Sequence, residues 1–341
     1  MTRTFILLSC ITIMIACTPT KQSTIDTTLQ TKVDSILQNK MSEIGAISGQ
    51  AIVMEVQTGE IKAMVGNSIS QESGLIRTAS LLAALETGKV KLSDTVDVGE
   101  GVYMVHDKEL LDHNWHRGGY GKLTTLQGLM VNSHIANYKN IERAFTEEQA
   151  YFDMLDKMNY GQPDNIEGLD SLKAVHFVTP NDSGWNNTSL AWFCIGYNQQ
   201  ISPIQMLTFY NAIANEGKMV KPTLYKGETE VINPQIASKA NIDSLQMALV
   251  KVVTEGLGKP AQSEKVQVAG VSGGGQLSPE EDNSEGRVNT IYSVEYCGYF
   301  PAENPKYSII VSMNKVGLPA SGNLMAGSVF KEIVNYIEAT K

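Results

Sequence analysis

The chain has 341 residues, 42% of them hydrophobic and 18% charged, a balance that suits a globular fold with a substantial core. Its formal net charge of −9 comes with no basic stripe to neutralise phosphates, which excludes a nucleic-acid surface. Internal repeats and low-complexity tracts are absent.

Residues 1–17 read as a targeting segment, with Arg3 as its positive end and an apolar stretch from Phe5 to Ile15 too short to span a bilayer. It ends in Met14-Ile15-Ala16-Cys17, which resembles the lipobox of bacterial lipoproteins, with Met14 where leucine is more usual. Cleavage there leaves Cys17 acylated and anchors the protein to a membrane without a transmembrane helix; the other reading is an ordinary leader with an incidental cysteine. Residues 18–22 form a polar linker and residues 23–341 the folded domain. The fold then starts within about 25 Å of extended chain from the lipid, so it is expected to sit low against its membrane.

Leu29, Val33, Ile36 and Leu37 repeat at helical spacing. Ala51–Val56 and Glu60–Val65 read as strands joined at Thr58-Gly59. From Thr78 to Gly258 the pattern is mostly helical. One helix has Ser202 as its N-cap, Pro203 in its first turn and Gly217 past its end; another runs through Leu245, Ala248, Leu249, Val252 and Val253 and stops at Gly256. Strands follow at Val266–Gly270, Thr290–Phe300 and Tyr307–Met313, and Phe330, Ile333, Val334 and Ile337 mark a closing helix. Two early and three late strands imply one sheet completed by distant segments, with a helical subdomain of about 78–258 inserted between them. Of the cysteines in the domain, Cys194 and Cys297, both lie in apolar surroundings that suit buried free thiols, although export permits a bridge.

Around Gln71-Glu72-Ser73-Gly74-Leu75-Ile76-Arg77-Thr78, followed by Ala79-Ser80-Leu81-Leu82-Ala83-Ala84-Leu85-Glu86, the chain resembles the active-site helix of the penicillin-binding proteins. Further strings continue the resemblance in order: Ser202-Pro203-Ile204-Gln205-Met206, Ile213-Ala214-Asn215-Glu216-Gly217, Val268-Ala269-Gly270 and Gly298-Tyr299-Phe300-Pro301. It is nearest to the transpeptidase domain of the class B enzymes. The fold it implies is α+β, DD-transpeptidase or serine β-lactamase-like: a mainly antiparallel sheet flanked by helices, plus a helical subdomain. Class B relatives normally carry a pedestal domain ahead of this one, and the sequence is expected to lack it.

The resemblance also assigns the motif positions. The family's Ser-x-x-Lys falls at Gly74 and Arg77, its Ser-x-Asn at Asn132-Ser133-His134, and its Lys-Thr-Gly at Val271-Ser272-Gly273. Gly74 has no nucleophile, and a guanidinium stays protonated, so Arg77 cannot be the base. Asn132 replaces a proton-relay hydroxyl, His134 the substrate-binding amide, and Val271 the carboxylate-holding cation. What the family's oxyanion hole would retain is backbone N–H, at Gly74 and Gly274. Two outcomes stay open: an anion site flanked by Arg77, with Ser133, His134 and Ser272 as further ligand-binding candidates, or a collapsed cleft whose Gly273-Gly274-Gly275 is only a flexible edge.

Other candidate chemistry is weak. Ser328 and Lys331 have Ser-x-x-Lys spacing but lie at the wrong end of the motif order, where Ser328 reads as a helix cap; Ser312 and Lys315 sit on a strand, where such spacing separates the side chains. His106, Asp112, His113 and His116 read as a loop rather than a metal site. His134 with Ser133 or Ser272 lacks an orienting acid. No cofactor or metal is expected. The reading is a lipid-anchored transpeptidase homologue without catalysis on the periplasmic face of the bacterial envelope. Its expected partners are peptidoglycan-synthesis proteins or stem peptides, the latter with millimolar affinity for an end in D-alanine. The alternative is an active DD-transpeptidase or hydrolase using displaced residues.

Overall fold

A computed structural model describes residues 21–67, 72–170, 172, 174–277, 280, 281 and 288–340. The leader, Cys17 and most of the linker lie outside them. Lys21 and Gln22, the last linker residues, are already docked: Lys21 pairs with Glu167, and the Gln22 carbonyl accepts from the Lys226 amide at 2.8 Å.

Helix α1 (Thr27–Ile44) starts at Asp26, whose carboxylate accepts from the amides of Thr28 and Leu29, and stops at Gly45 in the left-handed region. Strands β1 (Ala46–Glu55) and β2 (Ile61–Asn67) follow, β1 beginning five residues before the strongly apolar run that marks it in the sequence. Next come α2 (Ile76–Glu86) and the short strands β3 (Thr95–Gly99), β4 (Val102–Val105), β5 (Lys108–Leu111) and β6 (Gly121–Thr124), in which the β3–β6 pair encloses the β4–β5 hairpin. Helices α3 (Thr125–Met130), α4 (His134–Ala144) and α5 (Glu148–Lys157) precede β7 (His176–Phe177), α6 (Ser189–Phe193) and β8 (Gln199–Gln200). Helix α7 (Pro203–Ala214) leads to β9 (Met219–Val220), β10 (Val231–Asn233) and α8 (Lys239–Thr254). The chain closes with β11 (Ala269–Gln276), β12 (Glu280–Glu281), β13 (Val288–Asn289), β14 (Ile291–Phe300), β15 (Tyr307–Val316) and α9 (Ala326–Ala339).

The central sheet is antiparallel throughout, in the order β11-β14-β15-β1-β2, so the early hairpin is completed by strands more than two hundred residues later. Alternation along each strand feeds two cores. Val53, Val294, Tyr296 and Val311 point to the face covered by α1 and α9, where they meet Val33, Leu37, Phe330 and Ile333. Ile52, Cys297, Tyr299 and Ile310 point to the opposite face, under α2, α7 and α8. Burial on both faces explains why these strands read as apolar runs.

Helix α7 is buried along its whole length and is the axle of the second core. Ser202 and Gln205 form a capping box with Pro203 at the first helical position, so local chemistry sets its start. Its Tyr210 hydroxyl donates at 3.0 Å to the Leu75 carbonyl and at 2.7 Å to Thr78 Oγ1, which pins the start of α2. Its Asn211 donates to the Val56 carbonyl and accepts from Ser308 of β15. One helix thereby sets the first motif segment against the sheet.

Three expectations need correction. The region from Thr78 to Gly258, read as mostly helical, holds α2–α8 and also the short strands β3–β10, which were not expected. The first late strand runs from Ala269 to Gln276 rather than from Val266 to Gly270, so Gly273-Gly274-Gly275 is paired strand and not a loose edge. Ser328 is not the cap of α9, whose cap position is Met325; its hydroxyl donates to the Met325 carbonyl from the first turn. Cys194 and Cys297 are both buried free thiols, each raised by burial, Cys194 to about 12.

Candidate functional site

The fold brings the three motif segments together. Gly74 lies in the turn ahead of α2, whose cap position is Leu75, and Arg77 is the second residue of the helix. Val271, Ser272, Gly273 and Gly274 follow one another on β11, at the open edge of the central sheet. Asn132 and Ser133 join α3 to α4, and His134 opens α4.

Backbone meets backbone where the nucleophile would stand. A Cβ added at Gly74 would lie 2.7 Å from the Gly274 carbonyl oxygen and 2.8 Å from Arg77 Nη1. A Cβ on Gly196 would fall 2.7 Å from the Gly74 amide nitrogen, and one on Gly273 2.8 Å from the Leu75 nitrogen. Real Cβ atoms do not approach backbone that closely, so this junction admits only glycine. Gly274 also sits at φ +137, which L side chains rarely adopt.

Arg77 folds back over Gly74 and is 6% exposed. Its Nη2 donates to the Ser272 carbonyl at 3.4 Å. Burial lowers its proton affinity, against the pull of Glu295 and Asp112, and the guanidinium remains a fixed cation. Glu295, on β14 opposite Gly273, is 2% exposed; it accepts from the hydroxyls of Ser73 and Ser312. A buried cation and a buried carboxylate thus meet the Ser73-Gly74 turn from two elements, α2 and β14.

The second motif is spent on structure. Asn132 occupies the left-handed region at φ 54, where asparagine is favoured, and its Nδ2 donates to Ser272 Oγ at 2.8 Å. Ser133 caps α4 by accepting from the Ala136 amide and donates its own hydroxyl to Asp112 Oδ2 at 2.7 Å. Asp112, fully buried, also accepts from the Ile135 amide; burial raises its carboxyl above the usual range. His134 is partly buried and pairs through Nδ1 with the Leu111 carbonyl at 3.0 Å, so Nδ1 carries the hydrogen. Burial, then the charge of Arg77, pushes its imidazole down to about 3, leaving it neutral. Val271 is buried in the core.

Among the described residues, no serine of the motif segments is hydrogen-bonded to a histidine or a lysine. Ser133 is engaged by Asp112 and the helix cap, Ser272 by Asn132, and neither is hydrogen-bonded to His134. Ser73 meets a carboxylate, but at 3% exposure, with its hydroxyl turned into the sheet and its carbonyl held by Gln199. The remaining candidates are structural. His113 pairs with the Tyr120 hydroxyl, Lys331 with Glu264, Ser312 with Glu295, and Lys315 with the carbonyls of Val316 and Gly317. Among the described residues no group of three or more His, Cys, Asp or Glu converges as metal ligands would.

Sequence reasoning missed Glu295, Gly196 and Gln199. A signal existed for the first: a glutamate in the apolar run Val294-Glu295-Tyr296-Cys297 of a two-face-buried strand must be paired. Gly196 and Gln199 act through backbone approach and a single amide, which leave no pattern.

Comparison with known proteins fits this geometry. A family model described as "Penicillin binding protein transpeptidase domain" matches residues 49–335. Penicillin-binding protein PbpB of Mycolicibacterium smegmatis is 24% identical over 93% of this chain and 54% of its own length. Peptidoglycan D,D-transpeptidase FtsI of Escherichia coli K12 is 21% identical over 89% and 53%. The chain therefore spans about half the length of the curated relatives it matches. Among solved structures, the transpeptidase domain of penicillin-binding protein 3 from Burkholderia pseudomallei superposes with a TM-score of 0.79 at 22% identity, covering 94% of this chain and 96% of that one. Such likeness shows the expected α+β fold. With most of its length inside the matched span, the chain belongs to the penicillin-binding protein transpeptidase domain family.

Proposed function

We propose that this protein is a non-catalytic member of its family, anchored through lipidated Cys17 to a membrane of the bacterial envelope and facing the periplasm. It acts by binding, as a partner or regulator in peptidoglycan synthesis. One observation carries the reading: the Arg77 guanidinium lies against Gly74, in the space a nucleophilic side chain would need, and it is itself no base. The tight approach of Gly74, Gly196 and Gly274 favours a protein partner on the outer surface over a stem peptide in the cleft.

Labelling with a fluorescent penicillin, beside an active transpeptidase as control, tests the first half. The protein is expected to stay unlabelled; a stoichiometric adduct mapped to Ser73 or to any other cleft residue would establish the working enzyme with displaced residues instead. Cys17→Ala is expected to move the protein out of the membrane fraction. Retention of that variant through high-salt washing would assign membrane attachment to a partner rather than to lipid.

A further inference from the structure

Between α2, α3 and α4, behind the Arg77 side chain, lies a cavity of about 10 Å³. Leu81 and Leu129 give it apolar wall, and Asn137 and Asn140 give it polar wall that is already engaged: Asn137 donates to the Cys194 carbonyl and Asn140 accepts from Thr125. Two other polar atoms of lining residues are buried without a partner among the described residues, Nε of Arg77 and Oδ1 of Asn132. The first is an obligatory donor and the second an acceptor. Leaving either unsatisfied in the interior is costly.

We propose that this cavity is a built site for one water molecule, which accepts from Arg77 Nε and donates to Asn132 Oδ1. The volume is about that of one water centre, and the two partners have the complementary polarity that a water satisfies and an anion does not. An anion would have to face the Asn132 carbonyl oxygen, and Glu295 already acts on the same guanidinium. The water closes a ring: Arg77 Nη2 holds the Ser272 carbonyl, Asn132 Nδ2 holds the Ser272 hydroxyl, and the water joins Arg77 to Asn132. All three motif segments are fastened through one positioning residue, Arg77. This holds whether or not the protein proves to be catalytic.

The test is a high-resolution crystal structure of the mature protein together with water-to-side-chain NMR cross-relaxation at Arg77 Hε. Expected are density within hydrogen-bond distance of both Arg77 Nε and Asn132 Oδ1, and a cross-peak from Hε to a long-lived water. Asn132→Asp keeps an acceptor and tolerates the left-handed backbone, so it should retain the cross-peak. Arg77→Met removes the donor, and its crystal should lose the density. A dry cavity, or Nε bonded to protein, overturns the proposal. So does an anomalous peak at the site after a bromide soak, which would make it an anion site. Should Arg77→Met fail to fold, the parent and Asn132→Asp measurements decide the matter alone.

Discussion

The two faces of the central sheet are built from the same strands and have been put to different uses. On the face under α1 and α9, β1, β14 and β15 offer Val53, Val294, Tyr296, Val311 and Met313 to an apolar layer from the helices. On the face under α2 and α7 the same strands carry Glu295, Ser308 and Ser312 among their apolar residues, all of them buried. One face needs only volume and hydrophobicity. The other needs a partner for each polar group, glycine at each close approach, and a counter-charge for each ion. That second face is closely packed at the motif segments, with Arg77 over Gly74.

The contrast predicts how each face breaks. Phe330→Ala, on the α9 side, should cost about 4 kcal/mol in urea unfolding, as a cavity whose cost no single polar change relieves. Glu295→Ala should cost about 3 kcal/mol by removing a buried acceptor and the negative charge facing Arg77, and adding Arg77→Met should recover a good part of it. If the double variant is as unstable as the sum of the singles, the two charges do not act as a pair.

Gly273→Ala and Gly74→Ser should each cost about 2 kcal/mol, because the new Cβ runs into Leu75 or into the Gly274 carbonyl. Melting temperatures would show it. Gly74→Ser should also remain unlabelled by penicillin, since Arg77 still lies against the new hydroxyl. Gly74→Ser with Arg77→Lys removes the guanidinium and supplies an amine while the Gly274 carbonyl still crowds the new Cβ, so any slow acylation should appear only there, limited by that contact and by Asn132 and Val271. A pH-dependent effect belongs to His134. Its imidazole titrates near 3 in the folded protein against an ordinary 6.5, so below 6.5 the unfolded chain binds a proton that the folded chain does not. Stability should therefore fall as pH drops from 6.5 toward 3, by about 1.4 kcal/mol per pH unit for this one group. Parallel urea titrations of the parent and His134→Asn should differ by that slope.

Much of the scaffold was readable because its signals are local. Ser202 and Pro203 place the start of α7 to the residue, and the apolar runs find β14 and β15. The expected strand stops at Gly270, short of the end of β11 at Gln276, for a physical reason: Gly273-Gly274-Gly275 lowers strand propensity, and only the long-range approach of α2 explains why glycine is needed there. The small strands between Thr95 and Thr124 lack long alternation and were lost among helical signals. At the site, the motif positions came from order and spacing. Where Arg77 would lie, and that Glu295 would face it, depends on β14 reaching α2 across more than two hundred residues, which no local pattern encodes.

The central claim is that the junction of Gly74, Gly196 and Gly274 with Arg77 is closed. A titration with a peptide ending in D-alanine, followed through the amide signals of Gly74 and Gly274 up to millimolar concentration, tests it most directly. The account predicts no saturable shift in either amide and the same traces in Arg77→Ala. A saturable shift in both that weakens when Arg77 is replaced would show an open, ligand-binding cleft and contradict it.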